Sequence, residues 1–580
     1  MLKDFRRTIS DLITKNYYGE FNRLCREEGL TLTAQAIGGA LCMAGDAIEV
    51  KKLVDKPQGE FWGYQTEGNY DIKECSSAAH AYGKLIASGE AFTDITYKHS
   101  LADIKNLADY AYAFGINEFV VCAVAYQPYR MENGEWRMEN YDYSAGRTMD
   151  NTIDKRLCLQ GNHNSPFSIP HSQIKINTAN GRQYVLNRLN TLWPLSKPFW
   201  DYQARCSWML RQGRPVSDVA VYLGDNLPAR IVSHKLPPLP PGYDFDAIGT
   251  DVLLHRLTAR DSRLMLPDGV SYRLLVLPTD EELTVEVGQR VDEWRRQGIA
   301  VYDPRAGQPF DECLRQAGLQ PDVDAPGATH LYYCHRQTGQ EDIYFLNNHS
   351  DQAVSDCFRF RTTATRAELW NPVTGKRKPL MLTADNGRTA IDLTMAPRES
   401  YFVVLSNQSS NAAVNTAVAT TQELTIEGPW QVQFDESVGA PTEPVTFNEL
   451  DDWTKHSDPH IRYYSGMATY SNTFVLAEKD KHASYQLRLP LLNVAAEVIV
   501  NGKEAGVVWC SPWSADITKQ LRKGKNRIEL RVCNTLWNRL VGDANRPETE
   551  RIMVQSHELA KPGDRLVPSG LAGKVTICVE

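Results

Sequence analysis

The chain has 580 residues, of which 42% are hydrophobic and 23% are charged, with 12 Trp, 26 Tyr and 17 Phe. This composition excludes a disordered or fibrous protein, and the length corresponds to about four domains of about 150 residues each. Lys and Arg number 63 against 71 Asp and Glu, so the net charge of -8 gives no basic footprint for nucleic acid or an anionic membrane surface.

The sequence gives no support for a membrane-spanning protein or for one held together by zinc or disulfides. No apolar run approaches the roughly 18 residues that a membrane-spanning helix needs. The 12 cysteines are scattered, without C-x-x-C or Cys/His ligand spacing, which argues against a zinc site or a disulfide scaffold. We therefore expect most cysteines to be reduced core residues.

The first part of the chain alternates helix and strand patterns. Apolar residues at three- and four-residue spacing predict a helix from Asp4 to Glu28, closed by Gly29. The same patterns predict helices over 71–82 and 101–114, and short apolar strands over 30–36, 84–87 and 117–125. Helices that alternate with nearly all-apolar strands indicate a parallel sheet covered on both faces.

The pattern changes twice after residue 200. Helices over 201–212, 251–257 and 285–297 alternate with strands over 216–223, 273–278 and 299–302, which predicts a second, smaller α/β domain. Short alternating strands after about Ala325 predict a β-sandwich, and Ser406 to Thr421 has the composition of a linker. A second all-β unit follows, in which Asn501-Gly502 marks a tight turn.

Two glutamates are the candidates for chemistry, because the chain contains no P-loop, dinucleotide glycine motif, H-E-x-x-H or G-x-S-x-G. Glu60 lies in Gly-Glu-Phe-Trp at 59–62, and Glu90 lies in Gly-Glu-Ala-Phe at 89–92. We place Glu90 just beyond the predicted strand 84–87, where the catalytic groups of a (β/α) barrel cluster. Cleavage of a glycosidic bond needs one protonated and one ionised carboxyl group, and aromatic neighbours supply a desolvated, sugar-stacking pocket. A solvated loop position for each glutamate is the open alternative.

Aromatic and amide side chains are frequent between residues 126 and 200, a composition that suits hydroxyl-rich ligands. We predict that Trp62, Tyr126, Gln127 and His163 contact a sugar beside the two glutamates. A polar surface excursion is the alternative interpretation of this segment.

The last unit contains motifs that resemble the galactose-binding-like jelly roll of glycoside hydrolases. They are Gly-Pro-Trp at 428–430, Val-Asn-Gly-Lys at 500–503 and Asn-Thr-Leu-Trp-Asn-Arg-Leu at 534–540. For the tryptophans of this unit we expect packing roles rather than sugar contacts.

Taken in order, motifs over nearly the whole chain resemble glycoside hydrolase family 106, the α-L-rhamnosidases. They are the two glutamate motifs, Gly-Ile-Asn-Glu-Phe at 115–119, Tyr-Gln-Pro at 126–128, Asn-Thr-Leu-Trp-Pro at 190–194, Gly-Tyr-Asp-Phe-Asp at 242–246 and Trp-Asn-Arg-Leu at 537–540. The resemblance implies inverting hydrolysis of terminal α-L-rhamnose and a bound calcium ion that orients the sugar hydroxyls. It also implies a periplasmic or extracellular location, although no signal peptide follows Met1 and the chain as written would be cytoplasmic.

The fold class that follows is multidomain α/β plus all-β. We expect the C-terminal part of a (β/α)8 barrel (1–204), a small α/β domain like the trimerisation domain of β-galactosidases (205–325), a β-sandwich (326–406), a linker (407–421) and a galactose-binding-like jelly roll (422–580). Too few strand–helix units are present to close the barrel, so we expect that its N-terminal half is missing from this chain.

Several points depart from the family or stay open. Gln35 stands where the family is expected to carry an acidic residue, and Cys122 stands where it is expected to carry histidine. The acid and base roles of Glu60 and Glu90 are unassigned, and one of them could be a calcium ligand, since carboxylates suit that ion. A non-catalytic remnant or carbohydrate-binding protein and a β-glycosidase of related architecture remain alternative functions.

Overall fold

A helical segment opens the chain, as predicted. The computed structural model describes residues 2–35, 45–63, 71–122, 129–132, 135–138, 174–176, 190–233, 236–407, 422–555 and 559–579. Helices α1 (Leu2–Leu12) and α2 (Glu20–Glu27) are joined by a π-helical stretch, Ile13–Gly19. Gly29 follows with a φ of 69°, the left-handed conformation with which a glycine commonly ends a helix.

A four-stranded parallel sheet carries the two candidate glutamates. Its strands are β1 (Thr33–Ala34), β2 (Lys56–Trp62), β3 (Ser88–Thr93) and β4 (Glu118–Val121), which lie side by side in chain order. Helix α3 (Asp71–Ala81) connects β2 to β3, and α4 (Leu101–Ala113) connects β3 to β4. Ser100 caps α4 in a capping box with Asp103, which satisfies backbone N–H groups at the helix start.

One strand of this sheet was misplaced and one was missed. The strand expected over 84–87 lies at Ser88–Thr93, so Glu90 is within the strand and not just beyond it, and β2 forms over residues 56–62, where no strand was predicted. The error arises from Gly59 and Gly89, because glycines in a sequence usually mark turns. Here Gly59 allows α3 to approach, since a Cβ at this position would lie 2.8 Å from the carbonyl oxygen of Asp71; Gly89 similarly faces the ring of Phe61.

The next segment contains short strands and a long helix. These are β5 (Tyr129–Glu132), β6 (Glu135–Met138), β7 (Ile174–Ile176), α5 (Lys197–Met209) and β8 (Arg214–Pro215). Strands β5 and β6 pair antiparallel. Most of the aromatic and amide-rich segment lies outside the described residues.

A second parallel sheet follows, as the alternating pattern predicts. Its elements are β9 (Val219–Tyr222), β10 (Phe245–Ile248), α6 (Thr250–His255), β11 (Thr258–Arg260), β12 (Arg263–Met265), β13 (Ser271–Tyr272), β14 (Leu274–Val276), α7 (Val285–Arg296), β15 (Ala300–Tyr302) and α8 (Phe310–Gln316). The parallel order is β10-β9-β14-β15, and β11, β12 and β13 form a separate antiparallel sheet. Strand β9 is buried along its whole length, which explains its continuous apolar run.

Two antiparallel sheets that share one hydrophobic core cover residues 323–406, and we call this unit the sandwich. Their strands are β16 (Val323–Asp324), β17 (Leu331–Gln337), β18 (Glu341–Asn348), β19 (Val354–Phe360), β20 (Arg366–Trp370), β21 (Arg377–Leu380), β22 (Thr383–Asp385), β23 (Arg388–Met395) and β24 (Ser400–Ser406). One sheet has the order β16-β19-β23-β22, and the other has the order β21-β20-β24-β18-β17-β8. Residues 408–421 of the predicted linker lie outside the described residues.

The last unit is again mainly antiparallel. It comprises β25 (Gln422–Ile426), β26 (Trp430–Phe434), β27 (Val445–Phe447), α9 (Pro459–Arg462), β28 (Met467–Leu476), β29 (Tyr485–Arg488), β30 (Leu491–Asn493), β31 (Ala495–Val500), β32 (Lys503–Val508), β33 (Ser514–Asp516), β34 (Gly524–Cys533), α10 (Trp537–Ala544), β35 (Met553–Gln555), β36 (Gly570–Ala572) and β37 (Val575–Val579). Asn501 and Gly502 have φ values of 53° and 74° in the turn between β31 and β32, which are the positive values that a tight hairpin requires.

A buried ion pair attaches the glutamate-bearing sheet to the sandwich. The Nζ of Lys105 in α4 lies 2.6 Å from Oδ2 of Asp109 and donates to Ser400 Oγ and to the carbonyl oxygen of Arg398, both at 3.1 Å. Tyr202 of α5 donates to the other oxygen of Asp109. Because both charges are buried, this junction depends on every partner in the network.

The structure bears on two predictions from composition, those for the cysteines and for membrane-spanning helices. Cys75, Cys206, Cys334, Cys510 and Cys533 are buried, in agreement with a packing role. Among the described helices, none has the length and apolar character needed to cross a membrane.

Candidate active site

Glu60 and Glu90 are direct neighbours in the first parallel sheet. They are register partners on β2 and β3, so their side chains leave the sheet on the same face. Gly59 and Phe61 point to the opposite face, where Phe61 is 3% exposed and packs in the core formed with α3 and α4. The two glutamates therefore lie side by side on the sheet face that α3 and α4 leave uncovered, and both are half-buried.

The surroundings of Glu60 favour its protonated form. Burial raises the pKa of the Glu60 carboxyl, and the nearby charges of Glu90 and Asp71 raise it further, while a hydrogen bond with the side chain of Trp62 acts in the opposite direction. Asp71 also accepts a hydrogen bond from the backbone N–H of Glu60, at 2.8 Å. A carboxyl group with a raised pKa, beside a second carboxylate, has the character of a general acid.

Glu90 on β3 accepts a hydrogen bond from a side chain that follows β1, two strands away. The Nε2 of Gln35, which directly follows β1, donates to Oε2 of Glu90 at 3.1 Å. Since β2 lies between β1 and β3, the Gln35 side chain crosses β2 on the glutamate face. The position where the family resemblance implies an acidic residue is thus occupied by an amide that binds a candidate catalytic group.

The backbone is irregular beside both glutamates. The pairing of β2 with β3 shifts register between Glu60 and Trp62. Phe92 and Asp94, which follow Glu90, have φ values of 69° and 60°, in the left-handed region that non-glycine residues rarely adopt. Irregularities of this kind re-aim side chains and cluster at functional sites.

A residue from the second parallel-sheet region holds the start of α3. Arg230, eight residues beyond the end of β9, lies 3.3 Å from Asp71 Oδ1 and donates from Nε to both oxygens of Glu74 at 2.9 and 3.0 Å. The backbone N–H of Ile231 also donates to Glu74, at 2.7 Å. Asp71, Glu74 and Arg230 were missed in the sequence; an acidic first turn of the predicted helix is the only signal, and it does not identify the partner.

The structure brings together part of the predicted site. Trp62 lies beside Glu60 and is half-buried, and Cys122 follows β4 as a half-buried thiol. Tyr126, Gln127 and His163 lie outside the described residues, so their sugar contacts remain predictions.

The described residues supply two of the oxygen-bearing groups that the predicted calcium ion could use. No three carboxylate, imidazole or thiol groups converge among these residues as metal ligands would. Glu60 and Glu90 supply two carboxyl groups, and Glu90 also accepts a hydrogen bond from the Gln35 amide. These two carboxyl groups alone are not a complete calcium ligand set, because calcium takes six to eight oxygen ligands. No step of the chemistry below is routed through the ion.

Known proteins resemble the chain in sequence and in structure. The structure of a rhamnosidase from Novosphingobium sp. PP1Y superposes with a TM-score of 0.83 at 25% identity, over 100% of this chain and 56% of that one. A protein of Formosa agariphila, provisionally named as a beta-glucuronidase, is 27% identical over 448 residues, which is 70% of this chain and 34% of that protein. The chain thus spans about half and about a third of the lengths of these two relatives.

A family comparison completes the assignment. The family model described as alpha-L-rhamnosidase, that of glycoside hydrolase family 106, matches residues 1–144, 176–308 and 302–384. These segments make up more than half of the sequence and include both glutamate motifs. The chain therefore belongs to the alpha-L-rhamnosidase family of glycoside hydrolases.

Proposed function

We propose that this chain carries part of the active site of an α-L-rhamnosidase, which hydrolyses terminal α-L-rhamnosyl residues of a plant polysaccharide or glycoconjugate. The observation that carries the proposal is the pairing of Glu60 with Glu90 on the uncovered face of the parallel sheet. Family membership supports glycoside hydrolysis, and the similarity to the Novosphingobium rhamnosidase supports rhamnose as the sugar.

The proposed scaffold is the C-terminal part of a (β/α)8 barrel. Strands β1 to β4 are parallel and adjacent in chain order. A barrel is built in this sequential way, whereas a doubly wound sheet changes direction and reorders its strands. We extend the proposal to the last unit, whose antiparallel sheets and Asn-Gly hairpin support a galactose-binding-like jelly roll.

In the proposed mechanism Glu60 is the general acid and Glu90 is the general base. The proton that burial and neighbouring charge retain on Glu60 passes to the glycosidic oxygen as the bond from that oxygen to the anomeric carbon breaks. Glu90 removes a proton from a water molecule whose oxygen attacks the anomeric carbon from the opposite side. Exchange with solvent returns the proton to Glu60 and removes it from Glu90, which balances the cycle.

The stereochemical outcome depends on how far apart the carboxyl groups are. Neighbouring strands lie about 4.8 Å apart, whereas inverting enzymes hold their carboxyl groups about 6.5–9.5 Å apart and retaining enzymes about 5–5.5 Å apart. The two flexible glutamate side chains can spread beyond the backbone spacing, and the family resemblance implies inversion. Proton NMR of freshly released rhamnose tests this point, because the β anomer appears first if the enzyme inverts.

Substrate binding is the second part of the proposal. Trp62 beside Glu60 would supply a stacking face for the sugar, and Tyr126, Gln127 and His163 would complete the pocket. A calcium ion, implied by family resemblance, would orient sugar hydroxyls.

The experiment that tests this function measures hydrolysis of a 4-nitrophenyl α-L-rhamnoside by the chain and its variants. We expect Glu60→Gln and Glu90→Gln each to lower kcat by about 10²–10⁴-fold, the usual contribution of acid or base catalysis. The matched control is Glu118→Gln. Glu118 begins β4, two residues before the register partner of Glu90, and its carboxylate pairs with Lys56 at 3.1 Å and Arg211 at 3.2 Å. We therefore expect its loss to lower stability and to leave kcat unchanged. Unchanged hydrolysis by Glu90→Gln would refute the role given to that residue.

A β-glycosidase is the second candidate, because the Formosa agariphila relative is provisionally named as a beta-glucuronidase. A panel that adds aryl β-glucuronide and β-galactoside separates the two functions directly. If no aryl glycoside is hydrolysed and rhamnose still raises the unfolding temperature, the chain is a carbohydrate-binding protein without catalysis.

A further inference from the structure

Two tryptophans face one surface cavity far along the chain from the glutamates. Trp208 of α5 is 57% exposed, which is unusual for so large an apolar side chain. It lines a cavity of about 360 Å³ together with Trp370 at the end of β20, Arg205 and Arg377. This volume lies within the range of small-molecule sites.

The walls of this cavity are held by specific contacts. The indole N–H of Trp370 donates to Oε2 of Glu368 at 2.9 Å, and the Arg377 guanidinium lies 3.5 Å from the centre of the Trp370 ring. Arg205 donates to the carbonyl oxygens of Pro372 and Val373, at 2.9 and 3.1 Å. The turn that forms the rim is therefore fixed before any ligand arrives, which lowers the entropic cost of binding.

A larger cavity of about 990 Å³ continues from the first one. The two share Asn371, Lys376 and Arg377, and the larger one lies between the sandwich and the last unit. It is bordered by β21, β32 and β33, each of which is the edge strand of its sheet. Edge strands present unpaired backbone N–H and C=O groups, the donors and acceptors that sugar hydroxyls need. Side-chain amides and hydroxyls add to them, including those of Asn371 and Gln486.

The charge of these cavities is opposite to that of the whole chain. Five cationic side chains line them, namely Arg205, Lys376, Arg377, Lys378 and Arg488, against two carboxylates, Glu399 and Asp516. Lys376 pairs with Asp516 at 2.8 Å, so these two charges cancel and four cations remain against Glu399. On a chain of net charge -8, this local excess of positive charge selects an anionic ligand.

We propose that the two cavities form a groove, the tryptophan groove, that binds an acidic oligosaccharide of hexuronate units. One sugar ring stacks on the exposed face of Trp208, and carboxylates bind the guanidinium of Arg377 and the cations beyond it. Aromatic faces suit the C–H surface of a sugar, and a guanidinium suits a carboxylate because it can donate two parallel hydrogen bonds. The groove shares none of its lining with Glu60 and Glu90, so it is an accessory binding site rather than an extension of the candidate active site.

Isothermal titration calorimetry on the full chain tests the proposal. The probe is a tetrasaccharide of α-1,4-linked galacturonate, and maltotetraose is the uncharged comparison. We expect galacturonate to bind, maltotetraose to bind at least about tenfold more weakly, and the galacturonate affinity to fall as salt rises from about 0.05 to about 0.5 M. Equal binding of the two probes, or no binding of either, overturns the proposal.

Variants locate the site. We expect Trp208→Ala and Lys378→Ala each to weaken galacturonate binding by about tenfold or more. The matched controls are Trp193→Ala, at a 43% exposed tryptophan outside the groove, and Lys523→Ala, at an exposed lysine; both are expected to bind as the unaltered chain does. Unchanged binding by Trp208→Ala refutes the groove.

Sedimentation of the same samples tests whether the groove instead binds a second copy of the chain, which an exposed tryptophan also suggests. If the chain dimerises and Trp208→Ala makes it monomeric, the groove is an interface and not a sugar site. Because these measurements record binding, their outcome does not depend on whether the chain hydrolyses a rhamnoside.

Discussion

Gly59→Ala tests whether the packing of α3 on β2 fixes the position of Glu60. An added Cβ would lie 2.8 Å from the carbonyl oxygen of Asp71, 3.0 Å from its carbonyl carbon and 3.1 Å from the Cα of Ile72. All three are backbone atoms, so the helix itself must move by a few tenths of an ångström. Overpacking of this kind costs about 1–3 kcal/mol. For a cooperative unit of about 150–250 residues, this corresponds to a fall of about 2–12 °C in the unfolding midpoint.

Thermal unfolding and hydrogen exchange provide the assay. We expect faster amide exchange in 56–62 and 71–81, because the hydrogen bond of 2.8 Å between the Glu60 N–H and Asp71 is stretched when α3 moves. Gly288→Ala is the matched control, since this glycine lies inside α7 with no atom within 4 Å of the added Cβ. Alanine there should stabilise by about 0.5–1 kcal/mol. A Gly59→Ala protein that unfolds and exchanges like the unaltered chain would refute the reasoning.

Three further predictions concern charge and metal. Asp71→Asn removes a charge that raises the pKa of Glu60, so the basic limb of the pH profile of kcat should move to lower pH; an unmoved limb contradicts the coupling. Burial alone would lower the pKa of His335, yet Asp322 and Asp342 raise it to about 9. The resulting stability is present below about pH 6.5 and is lost as the pH rises through 9. His335→Gln should therefore reduce the change of the unfolding midpoint with pH over this range. An unchanged pH dependence would exclude the effect. Chelation with EGTA should lower rhamnoside hydrolysis, and calcium should restore it, whereas full activity after chelation argues against the ion.

Periodic patterns in the sequence located elements whose stability is local. Helices α3, α4 and α7 begin and end within a few residues of the prediction, because their apolar spacing and the Ser100 cap act within the helix. The Asn501-Gly502 turn was predicted for the same reason, since its conformation depends on those two residues. Strand β2 was missed and β3 was misplaced because Gly59 and Gly89 make room for α3 and for the Phe61 ring, which are packed there only in the folded chain.

The sequence identified Glu60 and Glu90 as candidates but not how they are arranged. Glu60 and Glu90 were identified by their glycine and aromatic neighbours, yet that pattern cannot tell that they are register partners. Gln35 was noted as a departure from the family, whereas its hydrogen bond to Glu90 depends on the order of three strands. Arg230 could not be found, since its partner Asp71 is 159 residues away.

The buried contact of Lys105 with Asp109 and Ser400 limits how this chain can be divided. A fragment ending before the sandwich would lose Ser400 and the Arg398 carbonyl, so that Asp109 alone would remain of the three groups that Lys105 contacts. It would also expose to water the buried side chains of Lys105 and Asp109, so α4 would lose contacts that hold it in place. Shortened forms of the chain, whether for crystallisation or for grafting the glutamate sheet onto another protein, must therefore retain the residues through β24.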